Sequence, residues 1–324
     1  MIAGNDEGDQ PGRRANRGMA GSVLANPYVL LAFASLFWSG NHIIGRAIAG
    51  HVPPIGISTV RWLIPALVLW PIARPYLRRD WPLIKPQWRL MVWLGLTGGA
   101  LFSALQYVGL QYTSALNVSV LNSLTPVFIV IAGTLMFRDR IAIIQVLGIA
   151  TSLIGVLVVV ARGSFATLAQ LAFNWGDLII VFNMAVFGIY SAYLRLRPQI
   201  HWLSFMFMLA AISTIGTLPF FLWESLSGFV FKPTLLTAFA IIYVSIFPSL
   251  LAFAAWNRGV ELIGANRAGP FLHIIPIYSA LLASTLLGES LAIYHVVGFF
   301  VILTGVWLAT HKQPLSKFSL RISR

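Results

Sequence analysis

The chain has 324 residues, 58% of them hydrophobic and 10% charged, with a mean hydropathy of +0.83; soluble domains carry about 25% charged residues, so a water-dissolved globule is excluded. The formal charge of +13 does not denote nucleic-acid binding, because the basic residues sit in short segments between long apolar runs, where they orient the chain. With no cysteine, disulfides, thiolate metal sites and a cysteine nucleophile are excluded as well.

Residues 1–25 are polar, with Asp6, Glu7 and Asp9 followed by Arg13, Arg14 and Arg17. They lack the apolar core and small-residue cleavage site of a signal peptide and are expected to form a cytoplasmic tail. From there the apolar runs reach the roughly 20 residues a helix needs to cross a bilayer, and barrel-type alternation is absent. Span one, Tyr28–Ile48, contains Trp38, Asn41 and His42 and ends near Arg46. Span two, Gly56–Ile72, contains Arg61, and span three, Leu90–Val108, contains Gln106 and Tyr107. Span four, Ala115–Phe137, brings Asn117, Asn122, Ser123 and Pro126; span five is Ile143–Val160. Span six, Trp175–Tyr193, contains Asn183, Phe187 and Tyr190, with Arg195 just beyond it, and span seven is Trp202–Trp223. Span eight, Leu235–Trp256, closes on Trp256 and Asn257. Span nine, Ala268–Leu287, holds His273, Pro276 and Tyr278; span ten, Leu291–Ala309, precedes a basic tail, 311–324.

Eighteen of the 22 basic residues fall on one side of this arrangement and only Arg46, Arg162 and Lys232 on the other, with Arg61 inside a span. Because Lys and Arg are retained in the cytoplasm, both termini are expected there, as an even number of spans requires. Sliding the chain over itself by 150 residues places Gly109 on Gly259, Ala115 on Ala265, Pro126 on Pro276, Gly148 on Gly298 and Gly155 on Gly305. Asp139 falls on Glu289, and at an offset of 149 Arg46 falls on Arg195. The chain therefore reads as two five-helix repeats, 26–161 and 175–310. Five being odd, the second repeat enters the membrane inverted, and the loop charges swap accordingly: Arg138 and Arg140 correspond to Gly288 and Ser290. Paired halves of this kind enclose one cavity between two mirrored gates.

Trp256-Asn257, Gly264-Ala265, Pro276 and Gly288-Glu289, with Tyr112, Ser114-Ala115 and Pro126 as their first-repeat partners, resemble the signature of the EamA-type transporters of the drug/metabolite transporter superfamily. Within it the chain is most similar to the YddG-type exporters of aromatic amino acids. The resemblance implies ten helices in two inverted repeats, export, and a cavity lined by the first, third, fourth, sixth, eighth and ninth spans.

Polar groups at membrane depth are functional candidates. His42 and His273 can bind a carboxylate or a proton, or simply bond another helix. Asn41, Gln106, Asn117, Asn183 and Asn257 serve as substrate contacts or as helix glue. Trp38, Tyr107, Phe187, Tyr190, Trp256 and Tyr278 can wall a pocket for a ring-bearing ligand. Arg46, Arg61, Pro126, Arg195 and Pro276 are expected to be structural or gating, with Arg61 snorkelling from the outer end of span two. No acid falls at a midplane, and no phosphate-binding loop, zinc-protease or nucleophile-elbow motif is present. The expected function is facilitative or weakly proton-coupled export of neutral hydrophobic or aromatic amino acids across the cell (inner) membrane. Other metabolites, drugs or nucleosides are the alternative cargo, and a membrane enzyme is the alternative class. The expected partners are the small-molecule substrate and membrane lipid, with no nucleic acid, no cofactor and no metal, and a monomer suffices.

Overall fold

The computed structural model describes residues 26–48, 51–113, 118, 121–164, 166, 174–287 and 291–310; Asn117, Glu289 and the side chains of His42 and Arg46 lie outside the described set. Every regular element among the described residues is helical. The first half comprises α1 (Pro27–Ala47), α2 (Pro54–Ile84), α3 (Trp88–Gly95), α4 (Phe102–Tyr112), α5 (Thr125–Phe137) and α6 (Ile143–Val160). The second comprises α7 (Trp175–Tyr193), α8 (Trp202–Leu226), α9 (Leu235–Val244), α10 (Ala252–Ile263), the single turn α11 (Ala265–Ala268), α12 (Ile275–Leu287) and α13 (Ile293–Thr310).

Helix starts follow from local side chains that satisfy the first backbone N–H groups. Asn26 Oδ1 accepts from the Tyr28 amide at 3.0 Å, and Thr234 Oγ1 accepts from the Thr237 amide at 3.1 Å. Asn174 and Asp177 form a reciprocal capping box at the start of α7. Where α2 runs well past its apolar stretch, Asp80 accepts from Ser204 Oγ and from the His201 amide, each at 2.8 Å, tying it to the start of α8.

Seven helical stretches among the described residues are long and apolar enough to cross a membrane: Pro27–Gly45, Pro54–Tyr112, Ile143–Val160, Trp175–Leu196, Trp202–Leu226, Leu235–Ile263 and Ile293–Thr310. The difference from ten has local causes. A 3₁₀ turn at Lys85–Gln87 keeps expected spans two and three within one helical stretch, although the chain doubles back there, since Trp62 Nε1 donates to Ser103 Oγ at 3.0 Å. The expected fourth span is described as a regular helix only over the 13 residues of α5. The ninth is divided: Gly264, at φ 82°, ends α10, and a 3₁₀ segment, Gly269–Ile274, separates α11 from α12.

Two π-helical turns interrupt the bundle, Leu96–Leu101 between α3 and α4 and Ser245–Leu251 between α9 and α10. Such turns widen the helix by a residue and release backbone acceptors. Trp38 Nε1 takes one of these, the Pro248 carbonyl, at 3.0 Å.

The most extensive packing joins α6 to α13 and α2 to α8, followed by α7 with α4 and α5, and α1 with α10 and α12. In the first pair, a Cβ on Gly148 would collide with the backbone of Gly305 and Ala309, and one on Gly155 with Gly298 and Ile302. Rising numbers on one helix meet falling numbers on the other, so the two run antiparallel at backbone contact, the approach small residues allow in membranes. Large side chains such as Leu135, Ile143, Phe300 and Val296 face outward, as a lipid-facing surface requires and a water-facing one does not tolerate.

Candidate functional site

The bundle encloses a cavity of about 820 Å³, within the range of small-molecule sites. Trp38 and Asn41 come from α1, Arg61 from α2, Phe102 and Gln106 from α4, and Met184 and Phe187 from α7. Asn122, Ser123 and Thr125 at the start of α5, together with Leu272, Ile275, Pro276 and Ser279, form the facing wall. At one end the lining reaches Arg162, which is exposed, and Tyr294 and His295 at the start of α13. The cavity opens there.

Its floor is aromatic. The Trp38 and Phe187 rings meet edge-on at 5.8 Å, and each lies within 5.6 Å of Trp256, behind which Phe253 and Tyr190 are fully buried. Beyond this floor the opposite end of the bundle is held by ionic contacts. Arg195 makes a two-pronged pair with Asp139, Nη1 to Oδ1 at 2.7 Å and Nη2 to Oδ2 at 2.6 Å, and lies 4.4 Å over the Phe137 ring. Asn266 Nδ2 donates to the same carboxylate at 3.0 Å, and Gln145 Nε2 donates to the Asn266 carbonyl at 2.7 Å. Nearby, Glu261 accepts from Arg197 and Arg258 at 2.6 and 2.7 Å. Forked pairs of this kind fix geometry as well as charge, and here they join the α5–α6 connection to α7, α10 and α11.

Two buried hydrogen bonds reveal an exchange between the halves. Tyr107 Oη on α4 donates to Asn41 Oδ1 on α1 at 2.9 Å, and Tyr190 Oη on α7 donates to Asn257 Oδ1 on α10 at 2.7 Å. At repeat-equivalent positions the Tyr and the Asn have traded places, so the bond survives with donor and acceptor reversed. The Tyr107 hydroxyl also accepts from Arg61 Nη1 at 3.3 Å, while Arg61 Nε donates to Ser249 Oγ at 2.6 Å. Arg61 is 2% exposed and lines the cavity, so it does not snorkel.

Of the side chains singled out from the sequence, Trp38, Asn41, Gln106, Phe187, Arg61 and Pro276 line this cavity. Tyr107, Asn183, Tyr190, Trp256 and Asn257 stand behind that layer, and no residue of α10 reaches the lining. His273 is buried, with Nε2 at 2.7 Å from the Ser123 carbonyl and Nδ1 at 2.6 Å from Ser152 Oγ, and therefore clamps helices together. Tyr278 lies outside the lining. Pro126 and Pro276 each fall in the first turn of a helix, α5 and α12, where the missing N–H costs nothing. Arg162, His295 and Met184 were not anticipated as lining residues; the scarcity of basic residues on the side that holds Arg162 was the available signal.

Comparison with known proteins agrees on the family. The profile of the EamA-like transporter family matches residues 26–161 and again 174–310. An uncharacterized transporter of Bacillus subtilis, YyaM, is 25% identical over 313 residues, covering 91% of this chain and 97% of its own. A second from that organism, YetK, is 26% identical over 303 residues, covering 91% and 92%. The uncharacterized inner membrane transporter YicL of Salmonella typhimurium is 30% identical over 201 residues, 61% of this chain and 65% of its own. A solved crystal structure shares the fold at a TM-score of 0.70 and 19% identity, covering 88% of this chain and 96% of its own.

Proposed function

The chain belongs to the EamA-like transporter family as a multi-pass membrane transporter, and from that premise we propose that it exports small apolar or ring-bearing metabolites, aromatic and hydrophobic amino acids among them, by alternating access. The observation that carries this reading is the asymmetry of the central cavity. One end reaches the exposed Arg162, and the other is shut by the Asp139–Arg195 pair.

The reading takes the chain as ten crossings in two inverted halves. The α6–α13 contacts map onto themselves when the halves are exchanged, Gly148 on Gly305 becoming Gly298 on Gly155. The reversed Tyr–Asn bonds, the paired π turns and the contact between Ser123 and its own equivalent, His273, support the same operation. A structure of this kind reaches its second state by exchanging the conformations of its halves. The distribution of Lys and Arg supports a cytoplasmic position for the closed end, and on that reading the conformation described here faces outward.

Aromatic walls suit a ring or a branched side chain. Both His273 nitrogens are engaged within the bundle, which favours facilitation over proton coupling through this residue. Proteoliposomes loaded with labelled phenylalanine or leucine test the proposal. The expected result is efflux down the solute gradient that persists without a pH gradient. Strict dependence on an imposed pH gradient contradicts facilitation, and failure of both solutes to move or to compete contradicts the amino-acid assignment.

A further inference from the structure

We infer that the cavity selects an organic carboxylate anchored by Arg61, and that an ammonium group on the solute is not recognised. This rests on the transport reading above and narrows its substrate class from any small apolar metabolite to a carboxylate-bearing one with an apolar body.

Arg61 is the first ground. Its hydrogen bonds go to two neutral hydroxyls, Ser249 and Tyr107. The described carboxylates are engaged elsewhere: Asp80 with Ser204, Asp139 with Arg195, Asp177 with Thr113 and Asn174, Glu224 with the Ile55 and Gly56 amides, and Glu261 with Arg197 and Arg258. Among the described residues Arg61 therefore has no counter-ion. A buried charge is costly unless it is paired, and the guanidinium fork matches a carboxylate in two-pronged geometry.

The second ground is independent of the first. Gln106, 4% exposed and lining the same cavity, has its side-chain oxygen fixed by Asn183 Nδ2 at 3.0 Å; its Nε2 is buried without a partner, as is Asn183 Oδ1, so it meets a solute once the amide turns toward the cavity. A solute carboxylate supplies the counter-ion that Arg61 lacks and gives the turned amide an acceptor. Third, the charged or chargeable lining groups besides Tyr294 are Arg61, Arg162 and His295, all basic, and no described Asp or Glu joins them. Asn122 Oδ1 is also unpaired and lines the cavity, but as a neutral acceptor it gives an ammonium little against that field. Trp38, Phe102 and Phe187 supply the apolar wall for the rest of the molecule.

The test uses the purified full-length chain in detergent and four probes that share a phenyl ring on a short chain: phenylpyruvate (carboxylate only), L-phenylalanine (carboxylate and ammonium), 2-phenylethylamine (ammonium only) and 3-phenylpropan-1-ol (uncharged). Binding is read by calorimetry. On the unmodified chain phenylpyruvate is expected to bind about tenfold or more tightly than phenylethylamine, and at least as tightly as phenylalanine. Arg61→Gln is expected to lose about tenfold for phenylpyruvate while the alcohol changes by less than about twofold. If Arg61→Gln does not fold, the ranking on the unmodified chain decides alone, and Arg162→Gln, at the exposed mouth, is expected to flatten the salt dependence of phenylpyruvate binding. Tighter binding of phenylethylamine or phenylalanine than of phenylpyruvate, or an equal loss for all four probes in Arg61→Gln, overturns the inference. Phenylalanine efflux from proteoliposomes alongside that result leaves the transport reading standing and removes only the carboxylate assignment.

Discussion

At the scale of single residues, what a side chain touches separates lining from support. Tyr190 and Asn257 look from the sequence like pocket residues, yet their mutual bond at 2.7 Å holds α7 to α10 behind the aromatic floor. Tyr190→Phe leaves Asn257 Oδ1 buried without its donor and is expected to cost about 1–3 kcal/mol, read as a lower thermal midpoint with solute affinity unchanged. A matching loss of affinity would instead place Tyr190 in contact with solute. The sequence made Trp38, Gln106 and Phe187 legible as cavity residues because polar and aromatic groups at mid-span have few other uses. Arg162 and His295 were not legible as such, since residues at span ends are read first as orientation signals. Arg61 was legible as unusual but not as deep: whether a basic side chain snorkels or is buried depends on which neighbours cover it, and these are α4 and the Ser245–Leu251 turn.

At the scale of elements, the long apolar runs made helices readable almost to the residue where a cap or a charged turn follows, as at Ile143–Val160 and Trp175–Tyr193. The π turns were not readable, because they share no sequence signal: one contains Gly98 and Gly99, the other Pro248. The division of span nine was equally hidden, as it depends on the conformation of Gly264 and on the packing of Gly269–Ile274 against α5 and α6. The glycines of α6 and α13, by contrast, were visible as repeat equivalents. Gly148→Val puts side-chain atoms where the Gly305 and Ala309 backbone now lies. Overpacking of this type costs about 1–3 kcal/mol, and a lowered midpoint of thermal aggregation in detergent is expected. An unchanged midpoint would mean that the two helices are not held at backbone contact.

At the scale of the whole molecule, the two halves contribute different parts of one machine. The first supplies the buried cation Arg61 and most of the polar lining, both halves supply the aromatic wall, with Trp38 and Phe102 from the first and Phe187 from the second, and the Asp139–Arg195 pair joins one to the other. On the proposed alternating-access reading the pair holds the outward-facing state, so Asp139→Asn is expected to shift the population toward the alternative. The absence of native cysteine makes the measurement free of background. A single Met184→Cys, midway along α7 in the cavity lining, is treated in oriented membrane vesicles with a charged, membrane-impermeant methanethiosulfonate. Alternating access predicts modification from the outer face in the otherwise unaltered chain, and from the cytoplasmic face as well once Asp139→Asn is added. Modification from one face only, in both backgrounds, would contradict it.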